Sequence, residues 1–165
     1  MEKITLMGNP MSIVGSLPEV GTQAPDFTLV AQDLSEIKLS DYAGKRVVLN
    51  IFPSMDTDVC AASVRRFNVE ASSLPDTVVI CVSMDLPFAA TRFCTANGIK
   101  NVTTGSGFRS DFGKAYGVEI ADGPMRGLYA RSLVIIDRDG TVLANELVSE
   151  ITNEPDYALA TAKLK

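Results

Sequence analysis

Hydrophobic positions along the chain change period several times, and each change marks an element. Ile4-Thr5-Leu6-Met7 and Met11-Ser12-Ile13-Val14 flank the turn Gly8-Asn9-Pro10, which predicts an N-terminal hairpin. Gly21 to Pro25 reads as loop, Phe27 to Val30 as a short strand and Leu39 to Gly44 as a turn. Arg46-Val47-Val48-Leu49-Asn50-Ile51-Phe52 is almost continuously apolar, the pattern of a strand covered on both faces. After Pro53 the period lengthens: Cys60, Val64, Phe67, Ala71 and Leu74 recur at spacings of four, three, four and three, and so share one helical face. Pro75 closes that helix, and Thr77 to Ser83 follows as a second buried strand, which makes a parallel strand-helix-strand crossover.

Pro87 suits the first position of another helix, which the Asn97-Gly98 pair stops, leaving Cys94 near its end. Ser110 can cap a short helix running to Tyr116 and terminated by Gly117. Ser132 to Ile136 and Thr141 to Leu147 flank Asp137-Arg138-Asp139-Gly140 as an antiparallel hairpin. A last helix is expected from about Pro155, capped by Thr152 or Asn153. This order predicts an α/β fold, a single thioredoxin-like domain over residues 1–165 with an added N-terminal β-hairpin.

Composition narrows the function classes. Hydrophobic residues make up 46% and charged residues 21%, enough apolar surface for one packed core. The formal charge is −5 and the basic residues are scattered singly or in pairs, so no stripe exists to neutralise a phosphate backbone, and nucleic acid is not an expected partner. The apolar runs fall far short of the roughly 20 residues a membrane span needs, and the first residues carry no basic-then-apolar signal. A cytoplasmic location, without membrane contact, is the expectation.

No histidine is present, which removes Ser-His-Asp and Cys-His hydrolytic arrangements and His-bearing zinc sites. Cysteine is the remaining unusual chemistry: Cys60, Cys81 and Cys94, with no C-x-x-C pair among them. Separate thiols commonly serve as small buried hydrophobes. Cys60 has a second reading. It lies where a buried strand hands over to a helix, and with Thr57 or Asp56 as the N-cap it falls in the first turn, where unpaired amides and the helix dipole favour a thiolate. From position alone the two readings stand level.

The string Pro53-Ser54-Met55-Asp56-Thr57-Asp58-Val59-Cys60 carries the Pro-x-x-x-Thr-x-x-Cys pattern of peroxiredoxins. Asn50-Ile51-Phe52, Ser63-Val64-Arg65, Phe67-Asn68, Asp85-Leu86-Pro87-Phe88-Ala89, Arg92-Phe93-Cys94, Tyr116-Gly117-Val118, Ile120 to Pro124, Ala130-Arg131 and Glu150-Ile151 extend the likeness. From Ile4 to the last helix the chain resembles the bacterial thiol peroxidase family of peroxiredoxins. The resemblance implies that Cys60 is the peroxidatic cysteine, that Cys94 resolves it in an intrachain disulfide, and that Thr57, Arg131 and Pro53 complete the peroxide pocket. It also implies hydroperoxide as substrate, thioredoxin as reductant, a homodimer, and no metal or organic cofactor. Cys81, inside an apolar strand, is expected to be core. Leu86, Phe88, Met125 and Leu128 are expected around the pocket and hint at organic hydroperoxides.

Three positions depart from the family pattern. Thr95 follows the resolving cysteine where glycine is common, Gly107 stands where a side chain is usual, and Asp58 brings a carboxylate near Cys60 that opposes thiolate formation unless helix amides occupy it. Two other functions compete. A disulfide reductase or isomerase on the same fold would normally use C-x-x-C, which is absent. A peroxide sensor, whose disulfide alters its affinity for a partner, stays open as an additional role.

Overall fold

The computed structural model describes residues 2–164. Its centre is a seven-stranded mixed sheet formed by β3 (Thr28–Val30), β4 (Glu36–Lys38), β5 (Arg46–Ile51), β6 (Thr77–Ser83), β7 (Thr103–Ser106), β8 (Ser132–Ile136) and β9 (Val142–Leu147). The spatial order is β4-β3-β7-β6-β5-β8-β9. β5, β6 and β7 run parallel and the outer pairs are antiparallel. Helices α1 (Asp58–Ala71), α2 (Pro87–Asn97), α3 (Phe112–Ala115) and α4 (Tyr157–Leu164) complete the domain. β1 (Lys3–Leu6) and β2 (Asn9–Ser12) form the expected N-terminal hairpin as a separate two-stranded sheet.

The near-continuous apolar runs are explained by burial on both faces. Val48 points into a core shared with Phe52, Val64, Phe67, Phe93 and Leu164, while Val47, Leu49 and Ile51 point to an opposite core with Phe112, Tyr116 and Tyr129. A third cluster, Ile4, Met11, Ile13, Ile120, Ala130 and Ile151, lies under the hairpin and fastens it to the domain. Among the described residues, no helix is long and apolar enough to cross a membrane.

Several expectations need adjusting. α1 ends at Ala71, so Leu74 is buried beyond the helix, and Ser63 joins the inward face beside Cys60, Val64 and Phe67. α4 begins at Tyr157, and the side chain that accepts from its first turn is Asp156, through the Ala158 amide at 3.1 Å, in place of Thr152 or Asn153. β4 and β7 were not expected; Thr103-Thr104-Gly105-Ser106 has too few apolar residues to announce a strand. Gly107 is a packing requirement: a Cβ there would lie 2.0 Å from the Tyr129 hydroxyl.

Candidate active site

β5 ends at Ile51, and Phe52-Pro53 leads into α1, whose N-cap is Thr57 with extended dihedrals (φ −98°, ψ 147°). Cys60 is therefore the third residue of α1. Among the described residues, none accepts from the amides of Asp58, Val59 or Cys60, whereas Ala61 N–H already donates to the Thr57 carbonyl at 2.9 Å. Three free first-turn amides at the positive end of a helix dipole are a local environment for an anion. Cys60 is fully buried, and Ser63 Oγ donates to its carbonyl at 2.8 Å. Asn50 Nδ2 donates in turn to Ser63 Oγ at 3.3 Å, so a buried polar chain ties the turn to β5.

Thr57 is exposed and caps without a side-chain bond to the helix; its hydroxyl donates to the Ser54 carbonyl at 3.0 Å. With that hydrogen committed, the Thr57 hydroxyl keeps only acceptor capacity. Arg131 comes from the chain leading into β8, the strand next to β5. β8 pairs antiparallel with β5, Ser132 opposite Ile51, so the preceding Arg131 emerges beside the Phe52-Pro53 exit. Its guanidinium is buried: Nε donates to the Ile151 carbonyl at 2.9 Å, and Nη1 has no hydrogen-bond partner among the described residues. An unpaired buried cationic donor is costly and therefore informative.

Pro53, Thr57, Asp58, Val59 and Arg131 line one cleft of about 260 Å³, closed by Leu6, Met125, Ile151 and Thr152. The sequence-derived set is thus brought together except for the two cysteines, which are buried: Cys60 beneath this lining and Cys94 in the last turn of α2. Of the apolar residues expected around the pocket, Met125 lines it; Leu86 and Phe88 are exposed at the start of α2, and Leu128 packs under the hairpin. Asp58 is exposed at the first position of α1, on the rim. A larger groove, about 410 Å³, lies near Tyr42, Lys45 and Asp137 at the opposite end of β5 and holds no thiol.

All three cysteines are free. Burial pushes the Cys81 thiol up to about 12, against a smaller opposing contribution from Asn50, whose Nδ2 lies 3.7 Å from Sγ. Burial also pushes Cys94 up, and a hydrogen bond from Gln32 opposes it. Cys81 so placed is an inert core thiol.

Two acidic residues that carried no assigned role build the site's frame. Asp85, just past β6, accepts from Ser54 Oγ at 2.7 Å, Met55 N–H at 2.8 Å and Ser83 Oγ at 2.8 Å, pinning the segment between Pro53 and Thr57. Glu150 accepts from Thr5 Oγ1, Met7 N–H, Gly8 N–H, Thr152 N–H and Thr152 Oγ1, joining the hairpin turn to the cleft wall. These donors, the Gly8 amide first, hold its carboxyl down at about 2. Both lie in segments that carry the family resemblance, Asp85 to Ala89 and Glu150-Ile151, which assigned neither acid a role.

The Redoxin family model matches residues 19–160. A thiol peroxidase of Mycobacterium tuberculosis (strain ATCC 25618 / H37Rv) is 55% identical over 164 residues, covering 99% of both chains. A crystal structure of a peroxiredoxin-like protein from Aquifex aeolicus superposes with a TM-score of 0.94 at 39% identity, over 99% of this chain and 96% of that one. A thiol peroxidase from Chromobacterium violaceum shares the fold with a TM-score of 0.91 at 21% identity, over 98% and 95% of the two chains. The chain belongs to the Redoxin family, among its thiol peroxidases.

Proposed function

We propose that the chain reduces hydroperoxides with Cys60, resolves the product with Cys94 of the same chain, and is recycled by thioredoxin. One observation carries the reading. Thr57, Asp58, Val59 and Arg131 line a single cleft built on the turn that holds Cys60, where the first-turn amides have no acceptor and Arg131 Nη1 has no partner among the described residues. The helix terminus and the buried cation both favour negative charge developing at this turn.

In the first step the Cys60 sulfur forms a bond to the terminal peroxide oxygen as the O–O bond breaks. The alkoxide or hydroxide departs, takes a proton and leaves as alcohol or water, and Cys60 remains as a sulfenic acid. Thr57 accepts from the peroxide O–H and orients it; Arg131 donates to the oxygen on which charge develops. Pro53 shields the thiol from bulk solvent. Leu6, Met125 and Ile151 offer an apolar wall, which favours an alkyl hydroperoxide over hydrogen peroxide.

In the second step the Cys94 thiolate attacks the sulfenic sulfur, the S–O bond breaks, and hydroxide leaves as water once protonated. A disulfide requires Cα atoms within about 4.4–6.8 Å, and the two sulfurs start from the first turn of one helix and the last turn of another, so local unwinding accompanies the step. An external dithiol then opens the disulfide, and the cytoplasm, where thioredoxin keeps thiols reduced, is the compartment this cycle fits.

A homodimer is part of the proposal. Leu86, Phe88 and Phe108 are 49%, 65% and 39% exposed. A hydrogen bond from Ser106 Oγ to the Asp85 carbonyl sets their two segments side by side, as one apolar patch suited to a second copy. The test of the cycle is turnover with thioredoxin, its reductase and NADPH, run with hydrogen peroxide and with an alkyl hydroperoxide. Many turnovers per chain support it; a single oxidation event without recycling would favour a sensor.

A further inference from the structure

The thiol that must attack in the second step is the one the fold treats worse. Cys60 opens α1, at the positive end of a helix dipole; Cys94 lies in the last turn of α2, at the negative end, and that turn contains no basic residue. The Cys94 carbonyl accepts from the amides of Gly98 and Ile99, so the helix terminus closes directly on this residue. Its side chain is almost fully buried in a core cluster with Ala90, Phe93 and Ile99. Burial and dipole both disfavour the anion needed for attack.

One polar side chain reaches the sulfur. Gln32, in the loop after β3, is half-buried, and its Nε2 lies 3.5 Å from Cys94 Sγ and 3.1 Å from Thr104 Oγ1 on β7. The two amide hydrogens are thereby divided between the thiol and a hydroxyl that fixes the amide's direction. We propose that Gln32 is a catalytic residue of the resolving step, its side-chain amide donating to Cys94 Sγ and stabilising the attacking thiolate. The proposal rests on the reading of Cys94 as the resolving cysteine.

The influences resolved on the Cys94 thiol are burial and the Gln32 hydrogen bond, with no ammonium or guanidinium among them. From β6 the neighbour is the Cys81 thiol, held neutral by burial; from α1 it is Cys60, within the same core cluster. Asp33, adjacent to Gln32, turns its carboxylate to the Ser35 amide and hydroxyl. β7 contributes only the Thr104 hydroxyl. The same hydrogen bond acts again during recycling, when thioredoxin attacks the disulfide and one of its sulfurs leaves as thiolate: a stabilised Cys94 leaves more readily.

The test is the rate of disulfide formation after one equivalent of hydrogen peroxide, followed across pH in wild type, Gln32→Leu, Gln32→Glu and Cys94→Ser. Gln32→Leu is expected to leave the first oxidation of Cys60 unchanged, slow disulfide formation at pH 7 by about tenfold and move its pH midpoint upward, the size expected for a lost hydrogen bond to a charged group. Gln32→Glu, which places a carboxylate at the sulfur, should slow it further. Alkylation of Cys94 in a Cys60→Ser background should show the same upward midpoint, which a merely structural residue would not move. If Cys94→Ser still forms an intrachain disulfide at the wild-type rate, through Cys81, the resolving role of Cys94 fails and Gln32's role with it. If Cys94→Ser fails to form it while folded Gln32→Leu keeps the wild-type rate and midpoint, or moves the midpoint down, the Gln32 proposal alone is overturned.

Discussion

Asp85 offers a quantitative test of how the segment before Cys60 is held. Its carboxylate gathers three donors, Ser54 Oγ, Met55 N–H and Ser83 Oγ, at 2.7–2.8 Å. Hydrogen bonds to a charged group contribute about 1.5–3 kcal/mol each when isolated, but the three are not additive. In Asp85→Ala the two serine hydroxyls can turn to water or to other acceptors. The Met55 amide cannot, because Met55 is 3% exposed, and a stranded buried N–H costs about 1–3 kcal/mol. A total of about 2–4 kcal/mol, borne by residues 54–60 and not by the sheet, corresponds to a roughly thirty- to several-hundredfold increase in local opening. Asp85→Asn keeps an oxygen for Met55 N–H and should fall at the low end. Hydrogen exchange on the reduced protein reads this directly: the hydrogen-bonded amides of Met55, Asp56 and Thr57 should speed up by that factor while β5 and β8 stay protected. Peroxide reduction should slow in parallel, because the cleft geometry is less populated. Unchanged exchange at Met55, Asp56 and Thr57 of folded Asp85→Ala would refute the reasoning.

Three further outcomes follow from the same structure. Arg131→Met, which removes the buried donor, is expected to slow reaction of Cys60 with peroxide by about 10²-fold in single-turnover kinetics; a wild-type rate would remove Arg131 from the site. Cys81→Val should keep thioredoxin-coupled activity within a few-fold, with a stability change on the order of 1 kcal/mol in denaturant titration, since the thiol is buried within β6 among apolar neighbours; a hundredfold loss would show otherwise. Glu150 has a carboxyl held at about 2 when folded and near 4.5 when unfolded, so its contribution is complete above pH 4.5 and lost as pH falls through about 2. Exchange of the Met7 and Gly8 amides should rise over that window in wild type and be insensitive to it in Glu150→Gln.

The sheet's centre was legible because its signal is local. β6 and β8 match the expected strands, since a run buried on both faces needs no partner to be recognised. Pro87 and Gly98 bound α2 as expected, because a proline at the start and a left-handed residue at the end (φ 64°) are properties of the backbone itself. β4 and β7 were not legible: Glu36-Ile37-Lys38 and Thr103 to Ser106 become strands through pairing with β3 and β6. The site divides in the same way. Pro53, Thr57 and Cys60 lie within eight residues, but position alone singled out only Cys60, level with a core reading; the roles of Pro53, Thr57 and Arg131 came from the family resemblance. Asp85, Glu150 and Gln32 act on groups far away in sequence, so no spacing could reveal them. Gln32 reaches Cys94 across 62 positions, and Glu150 reaches Gly8 across 142.

The central claim is that Cys60 reacts with peroxide and Cys94 resolves it within one chain while Cys81 stays out of the chemistry. Disulfide mapping by mass spectrometry after one equivalent of peroxide tests all three parts at once. The account predicts a Cys60–Cys94 link within a monomeric mass on denaturing analysis, Cys81 recovered as free thiol, and, in Cys94→Ser, a trapped sulfenic acid on Cys60. A link involving Cys81, a link between two chains, or an oxidised product in which Cys60 is still a thiol would contradict it.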